Sequence, residues 1–235
     1  MVLLTRAMGV LSVLVLAGAV LMGVMGALQF NPTTLPPNET GGFSRPVMAL
    51  EFVETTQQAR VILDLNGSQN REALGKQIWV DFLWIACYWF LFLAVSYVLS
   101  LRNCPWAFYL SVVAAISATA AAVFDARENL GMLQVINNPA ISQDALTALH
   151  IRDAALVKWT LIFVTLALLA PTFYGLDKQL HRIGFFFTIT ALAGLIGLWY
   201  KPLLGVLVPL PLLIGLLLLT YYSLRFPKLF LEKRC

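Results

Sequence analysis

Charged side chains are scarce in this sequence of 235 residues, in which Asp, Glu, Lys and Arg together make up 12%. A typical soluble domain carries about twice that share. Hydrophobic residues account for 60% of the chain, and its mean hydropathy is +0.80. Because long apolar stretches recur along the chain, this composition excludes a soluble globular domain and predicts an integral membrane protein.

Signatures of catalysis and of metal binding are also lacking. The chain has two histidines and three cysteines, with neither metal-ligand spacing nor an even set for disulfides. Gly-x-Ser-x-Gly and His-Glu-x-x-His motifs are absent. The net charge of +4 is small and reflects basic flanks rather than a nucleic-acid surface. We therefore expect no cofactor, no metal and no nucleic-acid partner, while enzymatic activity stays open.

Six apolar stretches are long enough to cross a bilayer, which takes about 20 residues per helix. They cover residues 8–29, 78–101, 106–125, 155–174, 183–200 and 202–223. The first stretch is longer than the apolar region of a signal peptide, which favours a retained helix. The sequence therefore predicts an all-α integral membrane protein with six transmembrane helices.

Basic residues in short loops mark the cytoplasmic side of a membrane protein. Here they lie at Arg6, at Arg102, at 178–182 and in the tail 226–235. We therefore predict that both termini are cytoplasmic and that segments 30–77 and 126–154 lie outside. The predicted location is the cell membrane, most simply the bacterial inner membrane. The predicted organisation is a first helix (1–29), an extracytoplasmic segment (30–77), a five-helix bundle (78–225) and the basic tail.

The extracytoplasmic segment has two predicted parts. Residues 31–42 are rich in Pro, Asn and Thr and are typical of a linker. Residues 47–65 are partly amphipathic, which predicts a helix lying on the bundle or on the membrane surface. Thr55 and Thr56 would either interrupt that helix or cap its second half. Asn38 and Asn66 begin glycosylation sequons, which matter only in a eukaryotic secretory pathway.

Polar side chains interrupt three of the predicted transmembrane helices near one membrane face. In the third helix, a stripe of small residues at helical spacing leads from Ser111 to Asp125 and Asn129. Intramembrane ionisable residues are costly, and they are candidates for a functional site. Because the topology brings these helix ends to one depth, the candidate ligand-binding residues are Asp81, Tyr88, Asp125, Glu128, Asn129 and Lys158.

Two interpretations of these residues stay open. Lys158 could pair with Asp125 or Asp81 and lock the helices together, or the same groups could bind a ligand. The second interpretation predicts a polar pocket near the extracytoplasmic face for a membrane lipid or small amphiphile. An alternative is a non-catalytic subunit or assembly factor of a larger membrane complex, because Ala19, Gly23 and Ala27 form a stripe suited to helix packing. A second alternative is an acid–base membrane enzyme that uses the paired carboxylates.

Several short runs resemble a pattern in an uncharacterised family of bacterial multi-pass membrane proteins. The runs are Leu50-Glu51-Phe52, Val80-Asp81-Phe82 and Asp-x-x-Glu-Asn at 125–129, and the resemblance covers residues 48–165. No activity is known for that family. The resemblance therefore implies a multi-pass membrane fold and assigns no role to any residue.

Overall fold

A computed structural model of the chain describes residues 1–29, 46–64, 68–101, 104–138, 145–200, 204 and 207–231. Within these ranges the chain is helical and contains no strand. The main elements are α1 (Val2–Gln29), α2 (Pro46–Glu51), α3 (Thr56–Asp64), α4 (Ser68–Ser100), α5 (Pro105–Asn137), α6 (Ala145–Tyr174), α7 (His181–Trp199), α8 (Pro209–Arg225) and a short 3-10 helix (Pro227–Leu231).

Five of these helices are long and apolar enough to cross a membrane, which supports a multi-pass membrane protein. The candidate spans are Val2–Met25, Arg71–Ser100, Pro105–Asn137, His150–Tyr174 and His181–Trp199. The sixth predicted span corresponds to α8, which has 17 residues. At 1.5 Å per residue α8 is about 26 Å long, less than the roughly 30 Å of a bilayer core. The sixth span and the orientation stay predictions.

The long helices extend beyond the apolar stretches that predicted them. Helix α4 begins at Ser68 rather than near residue 78, and α5 continues to Asn137 rather than ending near residue 125. Helix α6 begins at Ala145. The predicted loop 126–154 is therefore mostly helical. Hydropathy identifies only the part of a helix that is as apolar as the core of a bilayer. Polar residues that favour helix extend the helix beyond that part.

The segment between α1 and α4 contains two short helices rather than one continuous helix over 47–65, and the break lies at Thr55, where the sequence predicts an interruption or a cap. Helix α3 begins with a capping box: the Gln58 backbone N–H donates to Thr55 Oγ1 at 3.2 Å, and the Thr55 N–H donates to Gln58 Oε1 at 3.2 Å. Thr55 thus ends the preceding run and caps the next helix. Apolar side chains of both helices are buried, including Leu50, Val53 and Ile62.

Prolines in α8 lie at its start. The sequence predicts a kink at Pro209 and Pro211. Leu207 is helical, Val208 forms a bend and α8 begins at Pro209. Because residues 205 and 206 lie outside the described ranges, a kink between two helical stretches stays a prediction. The first helical residues have backbone N–H groups without an intrahelical partner, and a proline there costs no hydrogen bond.

The chain divides into two compact units, and α1, α4, α5 and α6 contribute residues to both. One unit contains Met1–Ala17, Ala86–Ala122 and Trp159–Cys235. In this unit Ser12 Oγ donates to the Leu216 carbonyl oxygen at 3.0 Å, which joins α1 to α8. A Cβ atom added at Gly215 would lie 2.9 Å from the Phe187 ring, so glycine allows α8 to approach α7 closely. Phe230 of the 3-10 helix is buried, so the predicted tail 226–235 begins packed inside the unit.

The other unit contains Gly18–Ile85 and Val123–Lys158. Its α1 and α4 segments meet where Gln77 Nε2 donates to the Met22 carbonyl oxygen at 3.3 Å. Gly18 allows the close approach, because a Cβ atom there would lie 2.6 Å from Trp84. In the predicted small-residue stripe Ala19 is exposed and Gly23 is partly buried. This unit holds five of the six predicted site residues.

Two of the cysteines differ in oxidation state. Cys87 is a free thiol, whereas Cys104 forms a disulfide, which an odd number of cysteines did not indicate. Other predictions fall outside the described residues: the linker over 31–42, the sequons at Asn38 and Asn66, and the basic turn residue Arg102.

Candidate functional site

The polar end of α5 is buried. Asp125, Glu128 and Asn129 are each 0–1% exposed, whereas Val123, which points off their stripe, is 62% exposed. Asp125 and Glu128 are three residues apart, and Asp125 and Asn129 are four apart, so α5 presents both pairs along one side. The small residues that lead to them, Ser111 and Ala118, are fully buried as well. The stripe predicted from the sequence is therefore the packed face of α5.

Three carboxylates converge on the ammonium group of Lys158. Its Nζ lies 2.8 Å from Glu128 Oε2, 3.2 Å from Asp125 Oδ1 and 3.3 Å from Glu51 Oε2. All four side chains are buried, with 7% exposure at most. We call these four residues the Lys158 cluster. The predicted pairing of Lys158 with Asp125 is present, and it is one of three such contacts.

Three separate elements build the Lys158 cluster. Helix α6 supplies Lys158, α5 supplies Asp125 and Glu128, and α2 supplies Glu51. Gly131 brings α5 and α6 together, because a Cβ atom at that position would lie 3.0 Å from Ile151 Cγ1. Ile151 is two helical turns before Lys158, so the close helix contact and the lysine share one face of α6. The lysine stem can then lie between the two helices.

Asp81 and Asn129 form a second polar contact in the same unit. Asn129 Nδ2 donates to Asp81 Oδ2 at 2.7 Å. Asp81 is half-buried and interacts electrostatically with Asp125, Lys158 and Glu51, so this contact adjoins the Lys158 cluster. The structure thus brings Asp81, Asp125, Glu128, Asn129 and Lys158 together, as predicted from their positions.

Tyr88, the remaining predicted site residue, lies in the other unit. It is buried, and its ring packs edge-on against Phe92 with 6.2 Å between centroids. Its role in a ligand site stays a prediction.

Sequence reasoning missed Glu51 as a site residue. It lies on α2, outside the five candidate spans, and yet it is only 6% exposed. One signal could have identified it: Glu51 is the single charged residue in the apolar run from Pro46 to Val53. A lone acid in the middle of an apolar surface needs a buried partner, and Lys158 is that partner.

Four buried acceptor atoms at these contacts have no hydrogen-bond partner within the described ranges, and two of them have no ion-pair contact with Lys158 either. These two are Glu128 Oε1 and Asn129 Oδ1, on side chains that are fully buried. Each belongs to a group whose other polar atom is engaged, Glu128 Oε2 by Lys158 and Asn129 Nδ2 by Asp81. A buried acceptor without a partner costs about 1–3 kcal/mol and calls for an explanation.

The charge balance of the Lys158 cluster is uneven. One ammonium group carries a single positive charge, and it faces three carboxylates at 2.8–3.3 Å. Removing charges from water costs several kcal/mol per ion, and attraction offsets that cost only when the ions are well paired. The arrangement suits recognition of a group that brings positive charge or protons. Among the described residues, no group of three His, Cys, Asp or Glu side chains is placed to hold a metal ion.

Comparisons with known proteins give no further identification. No family model matches the sequence, and neither a curated protein nor a solved structure matches it. The resemblance to an uncharacterised bacterial membrane family stays a prediction. Function must therefore be argued from the site itself.

Proposed function

We propose that this chain is an integral membrane protein that binds a lipid or small amphiphile at the Lys158 cluster. The observation that carries the proposal is the burial of four ionisable side chains, drawn from α2, α5 and α6. With them are buried two acceptors, Glu128 Oε1 and Asn129 Oδ1, that have neither a hydrogen-bond partner nor an ion-pair contact within the described ranges. An ion cluster costs more to bury than apolar residues of the same volume. A cluster that only holds helices together does not require buried acceptor oxygens without a hydrogen-bond partner.

The position of Glu51 supports access for a ligand. Helix α2 lies outside the candidate spans, whereas α5 and α6 are candidate spans themselves. The Glu51–Lys158 contact therefore ties a short segment to the helices at the polar site. Displacing α2 would uncover Lys158 without unfolding a transmembrane helix. A molecule that enters here from the bilayer needs both an apolar body and a polar head, which is the chemistry of an amphiphile.

A matched pair of acidic residues tests this proposal. Glu51 is buried against Lys158, whereas Glu54 lies three residues later and is exposed. Native mass spectrometry of the wild-type protein in mild detergent should detect a retained amphiphile. Glu51→Gln should lose it, and Glu54→Gln should keep it. A wild-type protein without bound amphiphile, or equal retention by both variants, would contradict the proposal.

A second candidate function, a non-catalytic subunit of a membrane complex, is favoured by α1. Only 22% of its apolar window is buried, against 39–50% for the other four candidate spans. Ala19, in the predicted packing stripe, is exposed together with Val20 and Leu21. An outward-facing helix of this kind suits contact with another membrane protein. A protein extracted in mild detergent as a stable single chain of 26.0 kDa would argue against this function.

A further inference from the structure

We infer that the polar head of the bound amphiphile is a protonated amine that donates hydrogen bonds to Glu128 Oε1 and Asn129 Oδ1. This inference rests on the proposed function and adds the chemical class of the ligand. It starts from two buried atoms at the Lys158 cluster that have neither a hydrogen-bond partner nor an ion-pair contact in the described part of the chain.

Both atoms accept hydrogen bonds while the Glu128 carboxyl group is ionised. Glu128 Oε1 belongs to a carboxylate, and Asn129 Oδ1 is the oxygen of an amide whose nitrogen already donates to Asp81. The two oxygens of a carboxylate share one carbon atom, so Glu128 Oε1 lies beside the contact between Oε2 and Lys158. A head group that satisfies these two oxygens must bring hydrogen-bond donors. A phosphate or carboxylate head would place its own acceptor oxygens beside these two acceptors, and no hydrogen bond would form.

Lys158 does not offer its own donors to an anionic head. An ammonium group has three N–H donors. Three carboxylate oxygens already lie within 3.3 Å of Lys158 Nζ. An anionic ligand would have to displace one of them and would meet the remaining carboxylates at close range. Lys158 is thus surrounded by carboxylates of the protein itself.

A positive charge on the head group of the ligand strengthens the hydrogen bonds that its N–H groups donate. A hydrogen bond between an ammonium group and a carboxylate is about twice as strong as one between neutral groups. The site has three carboxylates around one lysine, with Asp81 nearby. A second ammonium group improves this charge balance, whereas a neutral alcohol leaves it unchanged. An amine with N–H groups therefore fits better than a neutral, anionic or fully methylated head.

Four probes with one chain length test the inference on the wild-type protein. They are dodecylamine, dodecyltrimethylammonium, dodecanol and dodecyl phosphate, titrated into the protein in lipid nanodiscs with binding followed by tryptophan fluorescence. We expect dodecylamine to bind at least about tenfold more tightly than each of the others, which corresponds to about 1.4 kcal/mol. Asn129→Ala should weaken dodecylamine binding several-fold, while the control Asn137→Ala, at an exposed position of the same helix, should not.

The outcomes separate the inference from the proposed function. Equal binding of dodecanol or dodecyl phosphate would overturn the amine head and leave amphiphile binding standing. Equal binding of dodecyltrimethylammonium would overturn the donated hydrogen bonds, because that head has charge without N–H groups. Saturable binding of none of the probes would overturn both. The probe comparison uses wild-type protein, so it stays decisive even if Asn129→Ala fails to fold.

Discussion

At the scale of single residues, replacing Lys158 should destabilise the Lys158 cluster more than replacing any one of its three carboxylates. Loss of Lys158 leaves Glu51, Asp125 and Glu128 buried without that cation, whereas loss of one carboxylate leaves Lys158 with two partners. The sequence predicts the pairing of Lys158 with Asp125, since both interrupt apolar helices at similar depth. It does not predict Glu51, because α2 is separated from α6 by about a hundred residues and only the folded chain brings them together.

Removing Lys158 should destabilise the protein strongly. Breaking a buried ion pair from one side costs on the order of 3–5 kcal/mol, because the remaining charge stays buried. Lys158→Met should lower the melting temperature clearly, and adding Asp125→Asn should recover part of the loss. The control is Lys76→Met, which removes an exposed lysine paired with Glu72 on the surface and should have little effect. Strictly additive losses in the double variant would mean that the two residues do not interact.

At the scale of elements, hydropathy identifies the helices and misjudges their ends. The apolar stretches predict α1, α4, α5, α6 and α7, and five candidate spans result. The extensions of α4, α5 and α6 were not predicted, because the predicted spans follow continuous apolar stretches alone. In α5 the helical spacing of Met132, Val135 and Ile136, which are buried, could have predicted the extension. The break at Thr55 follows from the spacing of a capping box, Thr-x-x-Gln, that the sequence contains.

The packed face of α5 should tolerate added bulk less than its outer face. Ala118 and Ala122 are 0% and 9% exposed, while Val112 and Val123 are 39% and 62% exposed. Ala118→Leu or Ala122→Leu should cost about 1–3 kcal/mol by overpacking. Val112→Leu and Val123→Leu should be mild. Thermal unfolding in detergent measures the difference, and equal tolerance at all four positions would show that the buried face is assigned wrongly.

At the scale of the whole molecule, the orientation in the membrane is the main open prediction. Basic residues favour cytoplasmic termini and a cytoplasmic turn over 102–105. The disulfide at Cys104 favours the opposite, because disulfides persist in oxidising compartments. The orientation also decides whether the Lys158 cluster faces outward, because Asp125 and Glu128 lie in the second half of α5.

Labelling of introduced cysteines in intact cells distinguishes these orientations. With termini inside, a membrane-impermeant maleimide should modify Ser68→Cys and Ser142→Cys from outside. It should not modify Gln179→Cys, which lies in the exposed turn between α6 and α7. Modification of Gln179→Cys together with protection of Ser142→Cys would reverse the orientation and move the site to the cytoplasmic face.

The most direct test of a binding site, as opposed to an internal brace, is a paired measurement on Asp125→Asn. Melting temperature and amphiphile retention would be determined on the same purified sample. A binding role predicts a folded protein that melts near the wild-type temperature, because Glu51 and Glu128 still neutralise Lys158, but that has lost its bound amphiphile. A large drop in melting temperature with unchanged retention would contradict it and would leave the Lys158 cluster as a structural ion network.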